Sequence, residues 1–294
     1  MKPAAFKYIA ATSLEQALTL KAEYGDEAKF LAGGQSLMPA MNFRLAQPAV
    51  LIDINRIDGL GDVRRHNGGG VGVHVGATTR YRRLERDAGF AGMFPLIAEA
   101  LPHIAHPQIR TRGTIGGNLS LADPASELPA IAVALGARLC IQSARGERRC
   151  DARDFFAGPL TTDLQPDEML VGVELPLPHL RSGSCFMEIA RRRGDFAIVG
   201  IATMITLGER DECTKVRLAF CGVGETPIDA SSAADTVVGQ ALTSEAVREI
   251  AESIQASIDP SGSVHATASY QRHIAAVLTE RALQTAYQRA RNGH

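Results

Sequence analysis

The first half of the chain alternates between short apolar runs and amphipathic stretches. Apolar residues recur at helical spacing after Ser13 and stop at Gly25, which predicts a helix over residues 13–24. Short runs rich in β-branched residues, or alternating in polarity, predict strands, whereas longer apolar stretches predict helices. The predicted strands span residues 30–32, 50–54, 68–76 and 138–142, and the predicted helices span 94–105 and 131–135.

The pattern changes at residues 175–179 (LPLPH), where two prolines within three residues end a strand and suit a linker. Three strand patterns and then three helical patterns follow. We therefore predict an α+β fold with one domain over residues 1–176 and a second over 177–294, the second being a three-stranded antiparallel sheet with helices. Its strands span residues 186–190, 197–207 and 216–223, and its helices span 230–240, 244–257 and 267–292.

Composition argues against several classes of protein. The 294 residues are 45% hydrophobic and 21% charged, with a formal net charge of −1, which is ordinary for a soluble globular protein. There is no basic excess and no tryptophan, so we expect no nucleic-acid binding. Because no run of 18 apolar residues and no secretory signal pattern is present, we expect no membrane span and a cytoplasmic protein.

Cysteine and histidine usage bears on metal chemistry. Five cysteines at wide spacings, without a CxxC pair, argue against a disulfide framework or an iron–sulfur cluster on this chain. His103 and His106 lie three residues apart, but no further cluster of ligand residues accompanies them. The sequence therefore predicts no metal site.

A glycine pair follows the first predicted strand, in residues 32–36 (AGGQS). Paired glycines let the backbone turn sharply and approach a ligand closely. Consecutive backbone N–H groups can form an anion nest, to which Ser36 adds a hydroxyl. This arrangement suits a pyrophosphate, and a plain tight turn is the alternative.

A second segment, residues 112–118 (RGTIGGN), repeats the glycine pair, the hydroxyl and the amide side chain. We interpret residues 113–119 as a second glycine loop and expect the two nests to converge on one diphosphate. Neither segment matches the GxGxxG or GxxxxGK[ST] patterns of other nucleotide sites. A carboxylate from the acids that follow can accept hydrogen bonds from ribose or ribityl hydroxyls. For Asp123, a helix N-cap is the alternative.

Together, AGGQSL (32–37) and RGTIGGNLS (112–120) resemble the FAD-binding medium subunit of the carbon monoxide dehydrogenase and xanthine dehydrogenase family of molybdenum hydroxylases. The similarity continues in order over nearly all 294 residues, which makes it far more specific than either segment alone. Further matching segments are FKY (6–8), TSLEQA (12–17), IDI (52–54), GATT (76–79), DFF (154–156), DEML (167–170), ARRRGDFA (190–197) and YQRH (270–273).

The resemblance implies a FAD site, and no catalytic or metal-binding residue, on this chain. It places the diphosphate at the two glycine segments, an acid near FAD at Glu127 and a contact near the flavin ring at Leu170. Asp195 and Phe196 fall in a segment similar to one near the isoalloxazine. Phe196 has no hydroxyl, and Glu188 replaces a basic residue of some relatives, so polar roles at these two positions are not carried over. The implied cofactor contacts are Ala32, Gly33, Gly34, Gln35, Ser36, Thr78, Thr114, Ile115, Gly116, Gly117, Asn118, Glu127, Leu170, Asp195 and Phe196.

The resemblance also implies an architecture and partners. The N-terminal domain is expected to be a two-lobed FAD-binding domain of the PCMH type, with lobes at about 1–57 and 58–176. Electrons are expected to come from molybdopterin on a large subunit and to cross [2Fe–2S] clusters on a small subunit. This chain is expected to receive them from the clusters and pass them to an external acceptor. The expected assembly is a dimer of heterotrimers.

Some alternatives remain open at this point. A stand-alone flavoenzyme of the same fold would oxidise its own substrate, and a non-enzymatic anion-binding module would bind no flavin. The charge run at residues 191–193 (RRR) fits a solvated surface, a phosphate contact or a docking site for the iron–sulfur partner.

Overall fold

The computed structural model describes residues 2–66 and 72–293, so residues 68–71 of one predicted strand lie outside the described residues. Within those ranges the chain forms, in sequence order, a three-stranded, a five-stranded and a four-stranded sheet, with one additional two-stranded ribbon. None of the helices in the described residues is long and apolar enough to cross a membrane.

The first lobe is a parallel sheet with the strand order β1-β3-β2. Helix α1 begins where Ser13 Oγ accepts a hydrogen bond from the Gln16 N–H at 3.1 Å, and it ends at Gly25, whose φ is 52°. These two residues are the start and stop signals that the sequence predicts. The elements are β1 (Lys7–Ala10), α1 (Leu14–Tyr24), β2 (Ala28–Leu31), α2 (Leu37–Asn42) and β3 (Val50–Asp53).

The second lobe is a five-stranded sheet with the order β4-β5-β10-β6-β7, in which the central strand β10 is antiparallel to both neighbours. The predicted alternation buries Val73 and Val75 in a core that also contains helical residues. Its five strands are β4 (Val63–His66), β5 (Gly72–Gly76), β6 (Arg138–Ser143), β7 (Gly146–Asp151) and β10 (Met169–Pro176), and the separate two-stranded ribbon consists of β8 (Phe156–Gly158) and β9 (Thr161–Thr162). The helices are α3 (Tyr81–Arg86), α4 (Ala88–Met93), α5 (Pro95–Ala100), α6 (Pro107–Arg110), α7 (Ile115–Leu121), α8 (Glu127–Leu135) and α9 (Ala152–Phe155).

Strands predicted after residue 176 form an antiparallel sheet with the order β11-β12-β13-β14. The three predicted strands are confirmed, and a two-residue edge strand extends the sheet to four. Helices α10 and α11 pack with this sheet in one apolar cluster. The elements are β11 (Ser182–Ala190), β12 (Ala197–Leu207), β13 (Cys213–Cys221), β14 (Ile228–Asp229), α10 (Ser244–Ser257) and α11 (Ala268–Asn292).

Helix α8 joins the two halves of the molecule. Every one of its nine residues is buried, because it contacts both the second sheet and strands β12 and β13. A helix that is apolar on all sides needs such a position. The same core cluster therefore includes Phe186, Ala202 and Ala219 from the C-terminal sheet.

Three predicted helices differ from the structure. The helix predicted over 131–135 begins earlier, as α8 starts at Glu127. The helix predicted over 94–105 is shorter, with α5 ending at Ala100. Pro102 explains the early end, because it has no N–H to donate to the preceding turn. The helix predicted over 230–240 is instead a 3-10 helix over Ser231–Val237.

Candidate functional site

The first glycine segment leaves strand β2 with its backbone N–H groups unused. Gly34 has a φ of 71°, in the left-handed region that favours glycine. The Asn55 side-chain amide donates to the carbonyl oxygens of Leu31 and Ala32 at 3.3 and 2.9 Å. These two hydrogen bonds hold both carbonyl groups pointing toward Asn55. In the described part of the chain, no group accepts a hydrogen bond from the N–H groups of residues 33–36. This segment is therefore a row of free donors.

The second glycine segment is the start of a helix, so the expectation of a second N–H nest at residues 113–119 is wrong. Thr114 caps helix α7 by accepting from the Gly117 N–H at 3.1 Å. The N–H groups of Ile115 and Gly116 donate to backbone carbonyls at 3.0 and 2.9 Å, and that of Asn118 donates to Thr114 O. Because these donors are already satisfied, the segment can contribute shape and side chains to a site, but not a nest.

The two glycine segments lie against each other. A Cβ on Gly33 would lie 2.4 Å from the carbonyl oxygen of Arg112, and a Cβ on Gly117 would lie 3.9 Å from the Ala32 Cβ. The Arg80 guanidinium donates to the same Arg112 oxygen and to an oxygen of the Asn55 side chain. The structure thus brings together the two segments that the sequence predicts to converge.

The turn after strand β5 supports the second segment. The carbonyls of Ala77 and Thr79 accept the hydrogen bonds from α7, and a Cβ on Gly116 would lie 2.5 Å from the Ala77 Cβ. Thr78 lies between these two residues and remains partly exposed. Glycine at 116 therefore allows α7 to approach this turn closely.

The acids after α7 differ in environment. Asp123 Oδ1 accepts from the Ala125 N–H at 2.9 Å, and Ser126 is the N-cap residue of α8. Ser126 Oγ donates to Asn118 Oδ1 at 2.8 Å, which links α8 to the second glycine segment. The next residue, Glu127, is only 4% exposed. Burial raises the pKa of Glu127 to about 8, so this group is largely a neutral acid at pH 7.

The remaining predicted site residues lie further along the chain. Leu170 is buried in the core of the second lobe, next to a bulge in β10. Asp195 and Phe196 follow strand β11, and Phe196 is 66% exposed. A Cβ on Gly194, whose φ is 87°, would lie 2.8 Å from Ala105 O, so this loop packs on the first domain. Their contacts with a flavin stay a prediction.

The arginine run is exposed. Arg192 Nε contacts Asp195 Oδ2 at 3.2 Å, and Arg191 Nη1 lies 3.4 Å from His265 Nε2. Three consecutive arginines here border the loop that carries Asp195 and Phe196.

Sequence reasoning missed a half-buried pair between the two domains. His103 Nδ1 lies 3.0 Å from Glu188 Oε1, and the Glu188 side chain is only 3% exposed. This hydrogen bond raises the pKa of His103. The sequence singled out His103 only for its spacing from His106 and Glu188 only as a departure from some relatives, and 85 residues separate the partners.

A second missed group joins three possible metal ligands. Donor atoms of His74, Cys140 and Glu174 lie within 4.8 Å of one another on adjacent strands. Glu174 also forms ion pairs with Arg138 and Arg149, each at 3.0 Å. These two cations oppose the binding of a metal cation at the same carboxylate.

Comparisons with known proteins cover almost the whole chain. Residues 4–178 match the family described as FAD binding domain in molybdopterin dehydrogenase, and residues 184–286 match the CO dehydrogenase flavoprotein C-terminal domain. The chain is 40% identical over 292 residues to the 6-hydroxypseudooxynicotine dehydrogenase complex subunit alpha of Paenarthrobacter nicotinovorans, covering 99% of this chain and 97% of that one. It is 41% identical over 290 residues to the caffeine dehydrogenase subunit beta of Pseudomonas sp. (strain CBB1), covering 98% and 97%. A structure of carbon monoxide dehydrogenase from Hydrogenophaga pseudoflava aligns with a TM-score of 0.94 at 35% identity, covering 98% and 99%.

Proposed function

The chain belongs to the FAD-binding medium subunits of the molybdenum hydroxylases, and we propose that it transfers electrons within a heterotrimeric complex. In this proposal a small subunit carries [2Fe–2S] clusters and a large subunit carries molybdopterin. Electrons leave substrate on the large subunit, cross the clusters and reach FAD on this chain. An external acceptor then takes them, and two heterotrimers pair.

The row of free N–H donors at residues 33–36 is the observation that carries the FAD site. A diphosphate is an anion with several acceptor oxygens, which matches several donors left without partners. The α7 segment lies against this row, since a Cβ on Gly117 would lie 3.9 Å from the Ala32 Cβ. The residues present therefore fit the phosphate part of FAD, and we assign the diphosphate to the surface between residues 32–36 and 114–118.

The roles of the other residues follow from their positions. FAD, when bound, supplies the ability to accept electrons singly and to hold two of them. Residues 33–36 bind and orient the diphosphate, and Glu127 is assigned a hydrogen bond to the cofactor as a neutral acid. Leu170, Asp195 and Phe196 are assigned to the region of the flavin ring.

The division of labour among subunits has two supports. All five cysteines are free and four of them are buried, whereas a [2Fe–2S] cluster needs thiolates grouped around it. The names of the relatives refer to 6-hydroxypseudooxynicotine, caffeine and carbon monoxide. Such different compounds fit a subunit that receives electrons and does not itself bind the substrate.

The test is electron transfer in a flavin-depleted complex. The native complex is reduced anaerobically with just enough dithionite to be fully consumed, the absorbance of clusters and flavin is recorded, and an acceptor dye is then added and its reduction followed. Removing FAD should leave cluster reduction intact but abolish electron delivery to the dye, and added FAD should restore it. Unchanged dye reduction without FAD would contradict the proposed relay.

A further inference from the structure

A cleft of about 310 Å³ lies between the second lobe and the C-terminal sheet. Its walls include the end of strand β10, the C-terminal end of helix α8 and strands β11 to β13, and residues 176–179 of the connection between the domains also line it. Leu170, assigned to the flavin region, lies six residues before Pro176 on β10, roughly 20 Å away at the usual rise of a strand. The cleft is therefore separate from the proposed FAD site.

Two cations on strand β13 line this cleft without a carboxylate partner. Lys215 and Arg217 are two residues apart on the strand, so their side chains lie on the same face of the sheet. Neither forms an ion pair within the described ranges, whereas Arg138 in the same cleft is paired with Glu174 at 3.0 Å. Partial burial, followed by repulsion from Arg217, lowers the pKa of Lys215. The two positive charges therefore destabilise each other, and a bound anion would relieve this repulsion.

The Arg217 guanidinium is held at the wall of the cleft. Its Nη1 donates to the carbonyl oxygen of Ala134 at 3.4 Å, near the end of helix α8. Gly136 ends this helix with a φ of 66°, and a Cβ there would overlap the same guanidinium. Glycine at 136 therefore leaves the space that the guanidinium occupies. The other N–H groups of Arg217 have no acceptor among the residues that the structure describes, so they can donate to a ligand.

Two hydroxyl groups lie beside the cations because of the strand register. Thr206 on β12 pairs with Lys215 on one side and with Ser182 of β11 on the other. Ser182 Oγ and Thr206 Oγ1 are 2.9 Å apart, and both residues line the cleft. One hydroxyl proton forms the hydrogen bond between them, so the other remains available to an acceptor in the cleft. This face thus offers an ammonium, a guanidinium and a hydroxyl donor.

The acids near this face do not neutralise its two cations. Glu174 is paired with two other arginines, each at 3.0 Å, and Asp229 is paired with Arg153. Asp151 interacts with Arg217 through space but forms no ion pair with it, and Asp151 is exposed to solvent. The cleft therefore keeps a positive excess that favours a small anion.

We propose that this cleft binds a small organic phosphate, with the phosphate group at Lys215 and Arg217. A phosphate group carries several acceptor oxygens and up to two negative charges, which match the donors of this face. Leu177, Pro178 and Met204 also line the cleft and provide apolar surface for the organic part. The volume of about 310 Å³ is at the lower end for small-molecule sites, which excludes a large ligand. The proposal does not depend on electron transfer by the chain.

Calorimetric titration of the purified full-length chain tests the site, with phenyl phosphate and inorganic phosphate as the probes. Excess FAD is present, because a phosphate could otherwise bind the free N–H groups of residues 33–36. Phenyl phosphate should bind at one equivalent. It should bind about threefold or more tightly than inorganic phosphate, since only the ester has an apolar part to bury.

Variants of the two cations locate the bound phosphate. Lys215→Gln and Arg217→Gln should each weaken phenyl phosphate binding about tenfold or more, because each removes a charged donor. Lys215 is exposed and forms no hydrogen bond within the described residues, so its replacement should leave the fold intact. Arg248→Gln is the matched control: it removes one exposed charge from α10, outside the cleft, and should change the affinity less than about twofold.

The possible results separate this site from the glycine segment. Absence of phenyl phosphate binding to the folded wild type, unchanged binding in both cleft variants, or equal weakening in all three variants would overturn the proposal. Inorganic phosphate that binds as tightly as phenyl phosphate would overturn the organic ligand. If the chain binds no FAD, the proposed function fails, but Lys215→Gln still decides this proposal because Lys215 lies outside residues 33–36.

Discussion

Gly34 offers the sharpest test of the first glycine segment. Its φ of 71° lies where a side chain is strained, and an added Cβ would lie 3.2 Å from Leu31 Cδ1 and 3.3 Å from Met38 Cγ. A β-branched residue costs roughly 1–2 kcal/mol or more in this conformation. Gly34→Val should therefore move the backbone to a different conformation and turn the free N–H groups away from a common anion.

The loss of FAD affinity depends on how many backbone N–H donors no longer reach the diphosphate. A hydrogen bond to a charged acceptor contributes about 1.5–3 kcal/mol. Losing two such bonds costs roughly 3–6 kcal/mol, which weakens binding by about two to four orders of magnitude. Gly34→Asn is the matched control, because asparagine tolerates the left-handed conformation. It should weaken FAD binding by roughly tenfold at most.

Fluorescence titration of each purified full-length variant with FAD measures these affinities, and circular dichroism during heating checks that each is folded. A folded Gly34→Val protein that binds FAD as tightly as the wild type would refute the assignment of the diphosphate. Equal losses for valine and asparagine would refute the argument from backbone conformation.

Three further predictions concern the second segment and the buried acid. In Gly117→Val, the new Cβ would lie 2.7 Å from the capping Thr114 Oγ1. The ratio of bound flavin to protein should therefore fall sharply. An unchanged ratio would show that this surface does not face FAD. Thr114→Ala should lower the free energy of unfolding by about 1 kcal/mol through loss of the cap, and Thr114→Ser should not; urea unfolding distinguishes them. The folded pKa of Glu127 lies above its ordinary value of 4.5, so the folded state binds more protons and its stability falls as pH rises from about 4.5 to about 8. Glu127→Gln should remove roughly a few kcal/mol of that decline in the free energy of unfolding. If the free energy of unfolding changes equally between pH 5 and pH 8 in the wild type and the variant, the buried-acid account is contradicted.

Local signals in the sequence predicted many of the elements. Ser13 and Gly25 mark α1, and the alternation around Val73 and Val75 marks β5, because caps and periodicity act over a few residues. The same signals misled at residues 113–119, where a glycine-rich stretch is helical. Thr114 provides the cap, and close packing on the turn after β5 favours glycine there, which composition alone does not show.

In the candidate site, too, local sequence signals predicted some features and only the structure shows others. The glycine pairs in the sequence identified both segments, and the structure shows that they touch, but only coordinates reveal that one has free donors and the other does not. The pairing of His103 with Glu188 depends on how the C-terminal sheet docks on the first domain. No local pattern encodes a contact between residues so far apart in sequence.

The absorbance spectrum of the purified native complex, combined with cofactor analysis of its separated subunits, tests the central claim most directly. The account predicts flavin bands with FAD at one equivalent per copy of this chain, and iron–sulfur and molybdenum on one small and one large co-purifying chain. Flavin on this chain with substrate turnover in the absence of partners would indicate a stand-alone flavoenzyme. A complex without flavin, even after addition of FAD, would contradict the account.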